Sequence, residues 1–245
     1  MKIAIDCGHT LGGADYGAVG VKAESVLTRE VGTRVISKLK ALGHTVINCT
    51  IDNCNNLGKS LAYRVNKANT NNVDLFISIH FNCFNGQAHG TEVFTWGGEQ
   101  FQEATRVLNN LVGFGYANRG IKDGSNLYVI RNTRARSMLI ECCFCDNRED
   151  MNKYDAEKMA NAIVEGITDT AMPNNGNWYS LDRKLGIVTA KDGLNVRQSK
   201  STNSKILGVL QYGEKVRLYR KEGEWIHIYY PNHGGYVHGD YIEVL

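Results

Sequence analysis

The sequence predicts an α/β protein in which a three-layer domain with a mostly parallel, twisted sheet is followed by a small all-β barrel. Through residue 170, short runs of apolar and β-branched residues alternate with longer stretches of helical periodicity. This alternation is typical of a sheet covered by helices on both faces. After residue 184, short alternating strands follow one another closely between glycine turns, which is typical of a small barrel.

Strand and helix signals alternate regularly in the first part. A buried strand is predicted at 2–6, and the first helix is predicted to begin at Glu24 and to end near Leu42, with Gly43 just beyond its C-terminus. Further strands are predicted at 44–48, 73–79, 91–96, 127–130 and 137–140. Further helices are predicted at 57–69, 99–111 and 155–167.

A polar, breaker-rich segment at 172–177 separates the two parts. We therefore expect one domain over 1–172, a linker over 173–183 and a second domain over 184–245. A chain of 245 residues is long enough for two such domains. Strands of the second domain are predicted at 186–190, 194–197, 206–210, 215–219, 225–229 and 235–238.

The composition is that of an ordinary globular protein, with 42% hydrophobic and 22% charged residues. The net charge of +3 gives no support to nucleic-acid binding, and the whole excess lies in 184–245. A mildly basic module of this kind suits an anionic polymer. No run approaches the roughly 18 apolar residues of a membrane span.

The seven cysteines all lie within residues 1–145, and their number is odd. Several fall inside strand-like runs, so we expect reduced thiols rather than a disulfide framework. The cluster Cys142-Cys143-Phe144-Cys145 lacks the paired C-x-x-C spacing of a structural zinc site, which argues against a metal there.

Polar residues with metal-binding side chains are placed at the ends of several predicted elements. They are His9, His80 and Glu141, each after a buried strand, and Glu24 at the head of the first helix. Ligands of open α/β sheets bind beyond the carboxyl ends of the strands, which gives the first three a shared place to meet. Two histidines and a carboxylate form a catalytic zinc site, and a second carboxylate supplies a general base. The constellation predicts metal-assisted hydrolysis.

Each of these residues also has a structural interpretation when it is taken alone. A single histidine at a strand end is more often structural than a ligand, which applies to His9 and His80. Glu24 fits a first-turn helix carboxylate favoured by the helix dipole. Glu141 is harder to explain in this way, because a carboxylate at the end of a buried strand is costly unless it is paired, coordinated or neutralised.

Other polar residues are secondary candidates. Cys83 lies close to His80 in sequence and allows a Cys–His nucleophile, but that reading leaves the rest of the constellation unexplained. His89 and Glu92 are candidates for a supporting or substrate-binding role near the sheet edge. Arg64 is expected to form a buried ion pair with the sheet.

At these motifs, residues 1–170 resemble the catalytic domain of zinc-dependent N-acetylmuramoyl-L-alanine amidases of the phage endolysin and bacterial autolysin type. The matching pieces are IDCGH at 5–9, Gly17-Ala18, Glu24, LAYRVNKAN at 61–69, SIHFN at 78–82, HGTEVF at 89–94 and MLIECCFCDN at 138–147. The resemblance implies that His9, Glu24 and His80 are Zn²⁺ ligands and that Glu141 is the catalytic carboxylate.

The implied reaction is hydrolysis of the amide bond between N-acetylmuramic acid and L-alanine in bacterial peptidoglycan, with cell-wall lysis as the outcome. Zinc polarises the amide carbonyl and lowers the pKa of its water, while Glu141 moves a proton from that water to the leaving amine. The segments 10–23 and 82–89 are candidate walls of the substrate groove.

Residues 186–245 resemble a bacterial SH3-like domain, with LNVR at 194–197, WIHI at 225–228 and GYVH at 235–238. The resemblance implies cell-wall binding, which would raise the local concentration of the enzyme on an insoluble substrate. Aromatic residues there fill the barrel or stack on sugar and peptide faces. They are Tyr212, Tyr219, Trp225, Tyr229, Tyr230, Tyr236 and Tyr241.

Competing functions remain open on the sequence alone. A zinc peptidase acting on the peptidoglycan stem peptide would use the same metal and base, and a non-catalytic wall-binding protein would need neither. A nucleotide-binding protein is disfavoured because G-x-G-x-x-G and Walker motifs are missing. Since Met1 and Lys2 run directly into a strand, we expect a protein made in the cytoplasm without a signal peptide, which reaches the wall after release during host-cell lysis. No oligomeric state is predicted.

Overall fold

The computed structural model describes residues 1–170, 178–182, 184–231 and 234–245. The chain divides into two compact units, Met1–Met172 and Pro173–Leu245. Part of the predicted linker, residues 173–177 and 183, lies outside the described residues, and Trp178–Ser180 within it forms a strand. Among the described residues, no helix is long and apolar enough to cross a membrane.

The first unit is a mixed α/β domain, which confirms the predicted fold class. Its strands are Lys2–Cys7 (β1), Gly12–Gly13 (β2), Thr45–Asn48 (β3), Asn53–Cys54 (β4), Leu75–Asn82 (β5), Thr91–Thr95 (β6), Asn118–Asp123 (β7) and Arg136–Phe144 (β8). Its helices are Glu24–Ala41 (α1), Leu57–Thr70 (α2), Gln102–Val112 (α3), Tyr128–Asn132 (α4), Arg148–Lys153 (α5) and Ala156–Thr168 (α6).

The main sheet has the strand order β3-β1-β5-β8-β6-β7. All neighbours are parallel except β6 and β8, which run antiparallel. One face packs on α1, α3 and α6, and the other packs on α2 and α4. The central strands are therefore buried on both faces, which explains their nearly continuous apolar sequences.

The first helix shows how the sequence positions the site. Leu27, Val31, Val35 and Leu39 recur at four-residue steps and are fully buried against the sheet. The helix ends at Ala41, two residues before Gly43, whose φ of 83° is readily adopted by glycine. This packing fixes the start of α1, and with it Glu24, beside the carboxyl ends of β1 and β5.

The predicted strand at 127–130 is wrong, because these residues begin α4. Leu127 accepts a hydrogen bond from the amide of Arg131, four residues further on, which is the helical pattern. Val129 and Ile130 are buried in the core on the α2 face. A four-residue apolar run has too few residues to distinguish a buried strand from a buried helical turn.

The two-residue strands β2 and β4, the edge strand β7 and the short helix α5 were not predicted from the sequence. The edge strand β7 has the sequence NRGIKD, whose polar composition and internal glycine do not resemble a strand. The short helix α5 begins after Asn147, whose side chain accepts a hydrogen bond from the amide of Asp150. Its six residues are too few to show helical periodicity.

The second unit is an antiparallel all-β structure, as predicted. Its strands are Trp178–Ser180 (β9), Leu185–Val188 (β10), Leu194–Arg197 (β11), Ile206–Leu210 (β12), Lys215–Glu222 (β13), Trp225–Ile228 (β14), Gly235–His238 (β15) and Ile242–Val244 (β16). The main path runs β12-β11-β15-β14-β13-β10-β16, and β9 pairs with β13. Alternate apolar residues of these strands form a core of their own.

Candidate metal centre

His9 lies just beyond β1, in a backbone conformation that few residues other than glycine adopt. Its φ is 63°, in the left-handed region. Its carbonyl oxygen accepts hydrogen bonds from Arg64 Nη2 at 2.6 Å and from Arg29 Nη2 at 2.7 Å. Two guanidinium groups thus hold the backbone in this conformation and aim the imidazole across the end of the sheet.

Glu24, the first residue of α1, lies between the two histidines. His80 Nδ1 is 3.0 Å from Glu24 Oε1, and His9 Nε2 is 3.1 Å from Glu24 Oε2. The backbone amides of Phe81 and Ala18 each donate to one of the carboxylate oxygens, both at 3.1 Å. The Glu24 side chain is only 6% exposed, so its position is fixed by these four contacts and by the surrounding protein.

His9, Glu24 and His80 therefore come together, as the sequence suggested. One potential ligand atom from each lies within 4.8 Å of the others. Within the described ranges this is the single group of three or more such side chains close enough to hold a metal ion. The cysteine cluster at 142–145 is instead buried in the hydrophobic core.

Two glycines allow the histidines to approach one another. A Cβ atom on Gly8 would lie 2.3 Å from His80 Nε2, and one on Gly17 would lie 2.7 Å from the His9 ring. The two imidazole rings meet edge to face, with their centroids 4.8 Å apart. The space that the two histidine rings occupy therefore depends on the absence of side chains at Gly8 and Gly17.

The electrostatics of the cluster favour a bound positive charge. Burial alone would lower the pKa of His9, but hydrogen bonds to Asp15 and Glu24 outweigh it and raise the pKa to about 9. Burial would raise the pKa of Glu24, but hydrogen bonds from His80 and His9 hold it well below its usual range. A carboxylate that stays ionised beside two imidazoles is a donor set that Zn²⁺ accepts, so these residues fit the metal.

A buried polar network lies behind His9. Asp15 Oδ1 is 2.9 Å from His9 Nδ1, and Ser60 Oγ donates to Asp15 Oδ2 at 2.7 Å. Arg64 Nη2 lies 3.4 Å from the same Asp15 oxygen, and Arg64 also forms a buried ion pair with Asp6 on β1. The expected ion pair of Arg64 is confirmed. The role of Asp15 was missed, because this residue lies in a loop without periodicity.

Glu141 lies on β8 directly beside His80 on β5 in the parallel register. Its Oε2 atom is enclosed and has no hydrogen-bond partner among the described residues. Burial, together with repulsion from Glu24 and Glu92, raises the pKa of Glu141 well above its usual range. An enclosed carboxyl group with a raised pKa, next to the cluster, is suited to moving a proton.

The secondary candidates fall in different places. Glu92 lies opposite Glu141 on β6 and is buried, whereas His89 contacts a backbone carbonyl of its own loop, that of Gln87. Within the described part of the chain, His80 Nδ1 is bonded to Glu24 and His80 has no hydrogen bond to Cys83, so a Cys–His nucleophile has no support.

The two segments proposed as groove walls, 10–23 and 82–89, are held by hydrogen bonds to Cys145 and Asp146, which follow Glu141 in the chain. Asp146 Oδ2 accepts hydrogen bonds from the amides of Phe84 and Gly86, which fixes the segment 82–89. The segment 10–23 is anchored where the Val21 amide donates to the carbonyl of Cys145. Phe84 itself is 77% exposed.

Comparison with known proteins agrees with this geometry. Residues 3–171 match the N-acetylmuramoyl-L-alanine amidase family, and residues 192–243 match the bacterial SH3 domain. An uncharacterized protein of Clostridium perfringens is 34% identical over 234 residues, which cover 89% of this chain and 68% of that protein. The N-acetylmuramoyl-L-alanine amidase LytC of Bacillus subtilis is 31% identical, over 67% of this chain and 34% of LytC.

A solved structure shows the same fold. The catalytic domain of the CD27L endolysin, which targets Clostridia difficile, superposes with a TM-score of 0.65 at 30% sequence identity. The match covers 70% of this chain and 99% of that domain. Because the family match spans more than half of the sequence, this chain belongs to the N-acetylmuramoyl-L-alanine amidase family and carries a bacterial SH3 domain after its amidase domain.

Proposed function

We propose that this protein hydrolyses the amide bond between N-acetylmuramic acid and L-alanine in bacterial peptidoglycan, with Zn²⁺ held by His9, Glu24 and His80. The observation that carries the proposal is the convergence of these three side chains within 4.8 Å, beside an enclosed and unpartnered carboxylate oxygen of Glu141. Membership of the amidase family supplies the substrate.

When bound, Zn²⁺ would polarise the amide carbonyl and lower the pKa of a water molecule. The protein holds this chemistry in place. Asp15 accepts the Nδ1 proton of His9 and so directs Nε2 toward the cluster, while the amides of Phe81 and Ala18 keep both Glu24 oxygens in position. Such supporting contacts fix the ring orientation and tautomer of a metal ligand.

Glu141 would accept a proton from the attacking water and return it to the leaving amine of L-alanine. Its raised pKa makes the first transfer easier, because the protonated carboxyl that results is stable in this environment. Ionised Glu24 and Glu92 on either side maintain that shift through repulsion.

The second unit would bring the catalytic unit to its insoluble substrate. Outward-facing aromatic rings are clustered on β13, β14 and β15, where His227 stacks on Tyr236 with centroids 4.6 Å apart and contacts Tyr219. Rings of this kind stack on sugar or peptide faces. Weak binding by a tethered module raises the local enzyme concentration. We infer that the protein acts at the bacterial wall.

The test is the digestion of purified bacterial walls, followed by end-group analysis of the released fragments. New L-alanine amino ends together with free lactyl carboxyl groups on muramic acid would identify an amidase. New amino ends elsewhere in the stem would identify a zinc peptidase instead. Binding to walls without cleavage, at one zinc per chain, would identify a wall-binding protein. Chelation should abolish cleavage, and added Zn²⁺ should restore it.

A further inference from the structure

A second charged cluster continues from Glu141 toward the edge of the sheet. Glu92 on β6 lies directly opposite Glu141 on β8 and is 3% exposed. Its Oε2 atom accepts hydrogen bonds from Arg119 Nε at 2.8 Å and from Lys122 Nζ, while Oε1 accepts from Asn82 Nδ2 at 2.7 Å. Arg119 and Lys122 both belong to the edge strand β7.

The two cations exceed the single carboxylate that holds them. Burial would raise the pKa of Glu92, but hydrogen bonds from Lys122 and Arg119 lower it, so the group stays ionised. Counted over Glu92, Arg119 and Lys122 alone, the net charge is one positive. The side chains of Arg119 and Lys122 remain 36% and 39% exposed. They can therefore meet a ligand without leaving Glu92.

Both cations are also held by aromatic rings. The Arg119 guanidinium lies 5.0 Å from the centroid of Phe144, and Lys122 Nζ lies 5.9 Å from that of Phe94. Stacking and the shared carboxylate reduce the freedom of both side chains before any ligand arrives. Preorganised charges bind an anion more tightly than mobile ones, because less entropy is lost.

The order of residues across the sheet indicates on which side of Glu141 the stem peptide lies. On neighbouring strands β5, β8 and β6 the register places His80, Glu141 and Glu92 side by side, and the two cations of β7 follow. In the proposed function, the amide carbonyl lies next to the proposed metal ligands, and Glu141 donates a proton to the leaving amine of L-alanine. The peptide that continues from L-alanine then lies on the side of Glu92.

We propose that Arg119 and Lys122 form a subsite for a carboxylate of the stem peptide, namely the first ionised carboxylate beyond L-alanine. The inference rests on the proposed amidase function and adds to it a preference between substrates. A free carboxylate at that position gains hydrogen bonds in which both partners are ionised, whereas a carboxamide of the same shape offers the two cations only one neutral acceptor oxygen.

The experiment compares two soluble muramoyl tetrapeptides that differ only in whether this carboxyl group is free or amidated. Wild-type holoenzyme should cleave the free acid with a higher kcat/KM. Lys122→Met and Arg119→Gln should each lower the ratio of kcat/KM for the free acid to kcat/KM for the amide. We expect a several-fold decrease, reaching about tenfold where roughly 1.4 kcal/mol of charged hydrogen bonding is lost. Lys122→Arg should restore much of the preference. Lys153→Met is the matched control, because Lys153 also lies over an aromatic ring, that of Tyr116 at 5.8 Å, but donates to the carbonyl of Gly115 and not to Glu92.

The substrate ratio separates a subsite from a purely structural role. If the variants slow both substrates equally, the cations act only by holding Glu92 beside Glu141, and the subsite is wrong. The subsite is also wrong if every variant keeps the wild-type ratio of kcat/KM for the free acid to kcat/KM for the amide. If wild-type enzyme releases no L-alanine amine from either substrate, the proposed amidase function itself fails, and that result is distinct from a loss of preference.

Discussion

Asp15 and His9 form the contact that connects the candidate metal centre to the interior of the protein. Asp15 Oδ1 lies 2.9 Å from His9 Nδ1, and its other carboxylate oxygen is held by Ser60 and Arg64. Because the left-handed backbone of His9 is also held by Arg64, one buried guanidinium fixes both the ring and the main chain of a proposed ligand. The histidine is thus set in place before any metal binds.

Asp15→Asn should therefore weaken Zn²⁺ binding by about 10–100-fold, the usual cost of losing a supporting contact to a metal-bound histidine. The amide keeps the shape of the side chain but removes its charge, so the hydrogen bond that holds Nδ1 of His9 as a donor is weakened. Competition with a calibrated chelator measures the affinity. Asp169→Asn is the control, since Asp169 is 76% exposed and pairs with Arg106, which takes no part in holding His9. Equal affinity in Asp15→Asn and wild type would contradict this role.

Glu141→Gln should lower kcat on cell walls by about 10²–10⁴-fold, the range typical of general acid–base catalysis. Zinc content should stay at one per chain, because Glu141 is not among the three clustered ligands. Metal analysis and end-group release are measured on the same preparation. Glu149→Gln, at an exposed position on α5, should retain wild-type activity. Activity of Glu141→Gln within tenfold of wild type would rule out Glu141 as the proton carrier.

Gly8→Ala should displace His80 and sharply reduce zinc content. The added Cβ would lie 2.3 Å from His80 Nε2, a distance that real carbon atoms do not occupy. Overpacking of this kind costs about 1–3 kcal/mol in stability. Gly12→Ala is the matched control, since its nearest neighbour would be 4.0 Å away. Metal analysis after dialysis, with circular dichroism to verify folding, decides the matter. Full zinc occupancy in Gly8→Ala would mean that the space around the two histidine rings is larger than the packing indicates.

The sequence was sufficient for the residues that stand at the ends of strongly apolar elements. His9 follows the buried strand β1, and His80 lies near the carboxyl end of the neighbouring parallel strand β5, at the same edge of the sheet. Glu24 begins a helix with a clear apolar face. Periodicity thus predicted both the elements and the place where their polar ends meet. Their assignment as ligands and of Glu141 as the base came from the family resemblance and remains a proposal.

Residues that support the site could not be predicted in the same way. Asp15 lies in a loop, where no period relates it to His9. Arg119 and Lys122 lie on an edge strand that is polar and interrupted by Gly120, so neither the strand nor its position beside Glu92 was apparent. The run at 127–130 was wrongly predicted as a strand, because burial in α4 demands the same apolar residues as burial in a sheet.

A pH-dependent contribution to stability is expected from Glu222 in the second unit. Burial would raise the pKa of Glu222, but hydrogen bonds from Lys200 and Arg220 lower it. A carboxyl group whose pKa is depressed by folding stabilises the folded state above its unfolded pKa, and this contribution is lost as the pH falls through the folded value. Near neutral pH, Glu222→Gln should therefore reduce stability by about 1.5–3 kcal/mol, the usual value for a hydrogen bond to a charged group.

Hydrogen exchange of the β13 and β14 amides in the full chain measures this local stability. Wild type should be better protected than Glu222→Gln at pH 7, and the difference should shrink as the pH falls below about 4.5, the ordinary pKa of a glutamate. Glu243→Gln, at an exposed position on β16, should show no such dependence. A difference that stays constant from neutral to acidic pH would mean that the glutamine is tolerated poorly for its packing and that the charge of Glu222 contributes nothing.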